Sequence, residues 1–189
     1  MGELTPREKI IKEYHDSVEP LLSYLPWLSQ HAGETGETLY GEQGISEHSL
    51  SFPVYDATLL RFVREAGKSS LMDRNYRYVY SRNHLKTHED EKALIAKTSW
   101  RSWDQLKGIL SCYVLGGRVK ATLWSEGVKA RVYLMVLEKM RDIARDMENA
   151  QGLDNALLIE AARNAEALRD EKGPQAQEGL QDAKAPEAL

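Results

Sequence analysis

The chain is 189 residues long with 42% hydrophobic and 29% charged side chains, a balance that predicts one folded domain with appendages and excludes whole-chain disorder or a fibrous class. Its longest uninterrupted apolar run, Val132 to Leu137, falls far short of the roughly 20 residues that cross a bilayer, so no membrane association is expected. The opening MGELTPREKI has no apolar signal segment and Cys112 is the sole cysteine, which predicts a cytoplasmic protein without internal disulfides.

Thr5-Pro6-Arg7-Glu8 predicts a helix starting at residue 6: Thr5 caps it, Pro6 takes the first position, where its missing N–H is no loss, and Glu8 closes a capping box. Ile10, Ile11, Tyr14, Val18, Leu21, Leu22, Leu25 and Leu28 keep a three-to-four spacing, so one face is buried, with a kink expected at Pro20. Residues 31–53 then lose all periodicity and carry four glycines with several acids, the pattern of a flexible loop. Asp56 is placed to cap a helix whose stripe is Leu59, Leu60, Phe62, Val63 and Ala66, with Gly67 ending it as a left-handed residue.

In SLMDRNYRYVYSRNHL the tyrosines 76, 78 and 80 alternate as in a strand, but a helical projection separates the residues equally well and is preferred. It gathers Met72, Tyr76, Val79 and Tyr80 on one side and Arg74, Arg77, Tyr78, Ser81 and Arg82 on the other. Thr87 caps the next helix, His88 to Lys97, and Glu89, Asp90 and Glu91 in its first turn read as caps favoured by the helix dipole. A further helix from about Ser102 to Leu115, buried through Trp103, Leu106, Ile109, Leu110 and Val114, stops at Gly116-Gly117. Cys112 within it reads as a small core residue rather than a nucleophile.

After a short amphipathic piece with Leu123 and Trp124, a helix of about twenty residues is expected from near Gly127, apolar all round and therefore central to a bundle or shared with a partner subunit. Asp154 is placed to open a last, alanine-rich helix that ends at Gly173-Pro174. The expected fold is all-α: a compact bundle of about five to seven helices over residues 1–148, an appended helix over 149–173 and a disordered tail over 174–189.

Charge is segregated along the chain. Residues 1–56 carry three basic and ten acidic side chains, residues 57–145 eighteen and nine, and residues 146–189 four and ten. A basic middle between acidic ends fits either an anionic partner or docking of the chain's own ends. In the first case Arg74, Arg77 and Arg82 beside Tyr78 could neutralise phosphates and stack on exposed bases. Residues 93–110 loosely follow a helix-turn-helix, but Trp100 stands where a small turn residue is preferred and Asp104 would face a groove, so two packed bundle helices are the plainer reading.

Catalytic signatures are missing: there is no G-x-S-x-G, no phosphate-cradling glycine loop and no dinucleotide fingerprint. No catalytic residue, cofactor or metal is assigned. His84 and His88 have zinc-like spacing, but Thr87 stands between them as a cap and no third ligand is indicated. An enzyme built from dispersed residues would draw on Glu126, Asp73 and His88.

The stretch YVLGGRVKATLWSEGVKARVYLMVLEKM, residues 113–140, resembles a family of small uncharacterised bacterial proteins often carried on mobile genetic elements, through Gly116, Gly117, Trp124, Glu126 and Gly127. The resemblance extends more weakly over residues 52–145 and implies a domain ending near 145. It implies no activity, and the genetic setting adds a little weight to a nucleic-acid or regulatory interaction by association alone.

Two functional expectations follow. The leading one is a non-enzymatic accessory or regulatory protein that contacts an unknown protein partner, with a homodimer through residues 128–143 as its corollary. The alternative is a nucleic-acid-binding protein using Arg74, Arg77, Tyr78 and Arg82, and it requires those side chains to share one exposed surface.

Overall fold

A computed structural model describes residues 3–34, 37–40, 52–120 and 122–171. Among them the fold is all-α apart from one two-stranded ribbon, in the order α1 (Pro6–Glu13), a π-helical turn (Tyr14–Val18), a 3-10 segment (Glu19–Tyr24), α2 (Leu25–Gln30), β1 (Glu37–Tyr40), β2 (Phe52–Tyr55), α3 (Ala57–Ala66), α4 (Tyr76–Arg82), α5 (His88–Lys97), a 3-10 turn (Trp100–Ser102), α6 (Trp103–Gly116), α7 (Leu123–Lys129) and α8 (Val132–Glu171). No helix among the described residues is long and apolar enough to cross a membrane. The expected stop at Gly173-Pro174 and the tail 174–189 lie outside the described residues, as do residues 41–51 of the expected loop.

Local chemistry sets the helix starts. The Thr5 hydroxyl accepts from the Glu8 N–H and the Glu8 carboxylate accepts from the Thr5 N–H at 2.7 Å. Asp56 caps α3 through the Thr58 N–H at 2.6 Å, and Thr87 with Asp90 closes a capping box on α5. The expected kink at Pro20 takes the form of a change of helical register. The run widens to π over Tyr14–Val18 and tightens to 3-10 from Glu19, so that Pro20 falls in a first turn, where its missing donor costs no ladder bond.

Four expectations are corrected. Residues 37–40 and 52–55 are paired strands, Glu37 opposite Tyr55 and Tyr40 opposite Phe52, so the segment read as a loop carries an antiparallel ribbon. Gly67 ends α3 with φ −65°, not in the left-handed region; a Cβ there would lie 2.6 Å from the Arg118 guanidinium and 2.9 Å from the Val63 carbonyl, so space explains the glycine. The long helix begins at Val132, because Arg131 takes φ 63° and separates it from α7, which contains Gly127. Asp154 opens nothing: α8 runs unbroken from Val132 to Glu171, since neither Gly152 nor Asp154 outweighs the surrounding alanine and leucine propensities.

The chain divides after Glu148 into two units. In the first, α6 is central, with α4, α5 and α7 packed on it. Trp103, Leu106, Ile109, Leu110, Tyr113 and Val114 of α6 join Phe62 of α3 and Val132, Tyr133, Val136, Leu137 and Met140 of α8 in one buried cluster. Each such large side chain contributes about 2 kcal/mol of apolar burial. The apolar side chains of residues 128–143 that prompted the homodimer expectation are therefore largely taken up by the chain's own core. Of the second unit, every described side chain from 151 to 164 is exposed, including Leu153, Leu157, Leu158 and Ile159.

The glycines of the 113–140 stretch are packing devices. A Cβ on Gly117 would strike the Trp124 ring, whose Nε1–H donates to the Val114 carbonyl at 3.0 Å, and one on Gly127 would meet Tyr133 at 2.5 Å and Tyr113 at 3.0 Å. These close approaches seat α6 against α7 and α8.

Candidate functional site

The site is built on α4. Residues 74–88, RNYRYVYSRNHLKTH, contain Arg74, Arg77, Arg82 and Lys86 and no acid. Val79 fixes the orientation of the helix: it is buried against α6 at Gly108, where a Cβ would lie 2.5 Å from Val79 Cγ2. With Val79 inward, Tyr76 and Tyr80 are half-buried and Arg74, Arg77, Tyr78, Ser81 and Arg82 are exposed. Tyr78 leaves 57% of its surface in solvent. Among the described residues Arg74, Arg77 and Arg82 make no ion pair.

The nearest acid upstream in sequence, Asp73, is committed to the turn that launches α4. Its Oδ1 accepts from the Asn75 N–H at 2.7 Å, while its own N–H donates to Ser111 Oγ at 2.8 Å. The four residues singled out from sequence are thus all exposed along α4 and its preceding turn, with Arg77 on the side away from the buried Val79 and Arg82 one turn beyond Val79. What the face presents is cationic fork donors around an exposed aromatic ring, a set suited to phosphate and to a stacked planar group.

Beneath α4 lies a polar network that sequence reasoning missed. Glu91, read as a cap, is buried, and its carboxylate accepts from Tyr80 Oη and from Tyr113 Oη, each at 2.6 Å. His88 Nδ1 stands 2.9 Å from Tyr113 Oη and 3.3 Å from Glu91. Burial, reinforced by the carboxylate, raises both phenols well above their ordinary range, so they serve as hydrogen-bond donors. Burial likewise pushes the Cys112 thiol up, which makes it a poor nucleophile. The network ties α4, α5 and α6 together. Its sequence signal was the place of Glu91 three and four residues before Leu94 and Ile95, on the inward stripe of α5.

The dispersed catalytic candidates each have hydrogen-bond partners of their own, and of the three only His88 and Glu126 are within electrostatic reach of one another. Asp73 serves a turn, His88 belongs to the Glu91 network, and Glu126 on α7 accepts from Thr122 Oγ1 at 2.8 Å and Lys120 Nζ at 3.2 Å. Burial raises the Glu126 carboxyl, but those two donors outweigh it and hold the group below its ordinary value. His84 sits beyond α4 with φ 54° while His88 opens α5, so the two share no helical face. Among the described residues no three His, Cys, Asp or Glu side chains are grouped to hold a metal.

Residues 93–110 form two packed bundle helices, the plainer of the two sequence readings, rather than a helix-turn-helix. Its second helix would be α6, and Trp103, Leu106, Gly108, Ile109, Leu110, Ser111, Tyr113 and Val114 of α6 are buried, which leaves no recognition face for a groove.

The fold and site therefore define an all-α domain with exposed arginines along α4 that make no ion pair among the described residues. Comparison with protein-family models, with curated proteins and with solved structures finds no match.

Proposed function

We propose that the chain is a non-enzymatic nucleic-acid-binding protein whose contact surface is the outer face of α4. The observation that carries this reading is the exposure of Arg74, Arg77 and Arg82 beside Tyr78, with no acidic partner among the described residues. Guanidinium groups already bridged to carboxylates would have to break those bridges before reaching a phosphate; these do not. Three phosphate contacts give a salt slope of about −2 to −3, so raising salt fourfold weakens binding roughly 30-fold. The test is fluorescence anisotropy of the full chain with random-sequence duplex DNA, single-stranded DNA and RNA at two salt concentrations. Micromolar, salt-sensitive binding supports the reading, and no binding to any of them overturns it.

A second reading, contact with a protein partner, is favoured by a different observation: Leu153, Leu157, Leu158 and Ile159 are between 56% and 68% exposed within seven residues of α8. Large apolar side chains gathered on one exposed segment are the usual mark of an interaction surface. Pull-down with the full chain and with a variant carrying serine at these four positions separates this reading from the first.

A further inference from the structure

A groove of about 670 Å³ runs beside α1, with Leu4, Pro6 and Ile10 on one side and Trp100 and Trp103 on the other. That is the size and largely apolar character of a ligand site. Around Trp100 the charges are arranged unusually. The Arg7 guanidinium lies 5.0 Å and the Arg101 guanidinium 5.3 Å from the centre of the indole ring. Neither makes an ion pair among the described residues.

The other lysines in and around the groove are spent. Lys9 pairs with Glu3 and Lys12 with Asp16, each at 3.0 Å, and Lys107 pairs with Glu13 at 2.7 Å. Glu13 is further held by the Trp103 indole N–H at 2.8 Å and the Ser70 hydroxyl at 3.3 Å. What remains is Arg101 against Asp104 in the lining, with Arg7 at the Trp100 ring just outside it, a surplus of one positive charge beside a half-buried tryptophan ring.

One phosphate and one planar base match that remainder. Cation–π contacts at exposed positions are weak, so a guanidinium can swing from the indole to a phosphate and leave the ring face for a base. Stacking on an aromatic ring needs a base free of its complementary strand. We propose that the Trp100 groove is a subsite for one unpaired nucleotide, with Trp100 stacking the base and Arg7 and Arg101 holding its phosphate, which makes single-stranded nucleic acid the substrate class. The proposal rests on the reading of the chain as a nucleic-acid binder and extends it to a second surface that the α4 argument does not use.

The experiment measures anisotropy of the full chain with a ten-nucleotide oligothymidylate, an abasic oligomer of the same length and a duplex. The proteins are the unmodified chain, W100A, W100F, R7A/R101A and R74A/R77A/R82A. The groove predicts that W100A weakens oligothymidylate binding at least about fivefold and leaves the abasic oligomer and the duplex unchanged, that W100F retains binding, and that R7A/R101A weakens both single-stranded probes. If the α4 triple variant weakens all three probes while W100A changes none, the groove proposal fails and the α4 reading stands. If W100A acts as predicted and the triple variant has no effect, the α4 reading fails and the groove stands. Absence of binding by the unmodified chain overturns both. Since W100F keeps the ring, loss of binding in W100F as well as W100A on every probe marks a folding defect, which circular dichroism registers and which R7A/R101A bypasses.

Discussion

His15 and Glu148 are 133 residues apart in sequence and in direct contact: His15 Nε2 lies 2.8 Å from Glu148 Oε1, while the other ring nitrogen, Nδ1, lies 2.9 Å from Glu19 Oε2. A neutral imidazole carries one N–H, so two carboxylates at opposite nitrogens require the imidazolium. The bridge joins the N-terminal helical run to the last residue of the first unit.

This bridge makes stability depend on pH. The hydrogen bond to Glu19 is the largest cause holding the His15 pKa above its ordinary value; burial opposes it and the contacts with Glu148 add to it. A pKa raised in the folded state means that the stabilisation is complete below the unfolded value of about 6.5 and is lost as pH rises through the folded one. Thermal melts of the full chain between pH 5.5 and 9 are expected to show a falling Tm across that window, and H15Q is expected to flatten the slope.

Glu91 carries a larger share of stability because it is buried and accepts from two phenols. E91A takes the carboxylate acceptor from both hydroxyls, and although Tyr113 can still donate to His88 Nδ1, the loss should cost about 1–3 kcal/mol. E91Q keeps an acceptor and should cost about half as much. Urea denaturation gives the order: unmodified chain, then E91Q, then E91A. Equal stability of E91A and the unmodified chain would show that the network contributes nothing.

The contact of Gly108 with Val79 is specific enough for a double-mutant cycle. G108A puts a methyl group 2.5 Å from Val79 Cγ2 and should cost about 1–3 kcal/mol by overpacking. V79A alone leaves a small cavity in the seam of α4 against α6. In the double variant each relieves the other, so the combined loss should be smaller than the sum by about 1 kcal/mol, as read from denaturation midpoints. Strict additivity would mean that α4 does not seat on Gly108.

Much of this architecture was legible because it is written locally. Thr5 with Glu8, Asp56 with Thr58 and Thr87 with Asp90 are signals within three residues, and they set where helices begin. The inward stripe of α4 was legible for the same reason: Val79 and Tyr80 follow Tyr76 by three and four positions. The features that escaped were decided by neighbours distant in sequence. At Gly67 a Cβ would crowd the Val63 carbonyl and the Arg118 guanidinium that lies over it, and the acid Glu91 is inside because Tyr80 and Tyr113 come to meet it. The ribbon depends on residues 37–40 finding 52–55. The Trp100 groove needs residues from α1, from Ser70 and from the turn before α6 to be brought together. Asp154 misled in the other direction: its local cap signal lies inside a helix that runs unbroken from Val132 to Glu171.

The central claim is that the outer face of α4 binds nucleic acid, and the salt dependence of R74A/R77A/R82A tests it most directly. Binding to single-stranded and duplex probes is measured from about 50 to 200 mM salt for this variant and for the unmodified chain. The account predicts that the unmodified chain shows a slope of log K against log salt near −2 to −3, and that the triple variant both binds more weakly and loses most of that slope. An unchanged affinity and slope in the triple variant would contradict it.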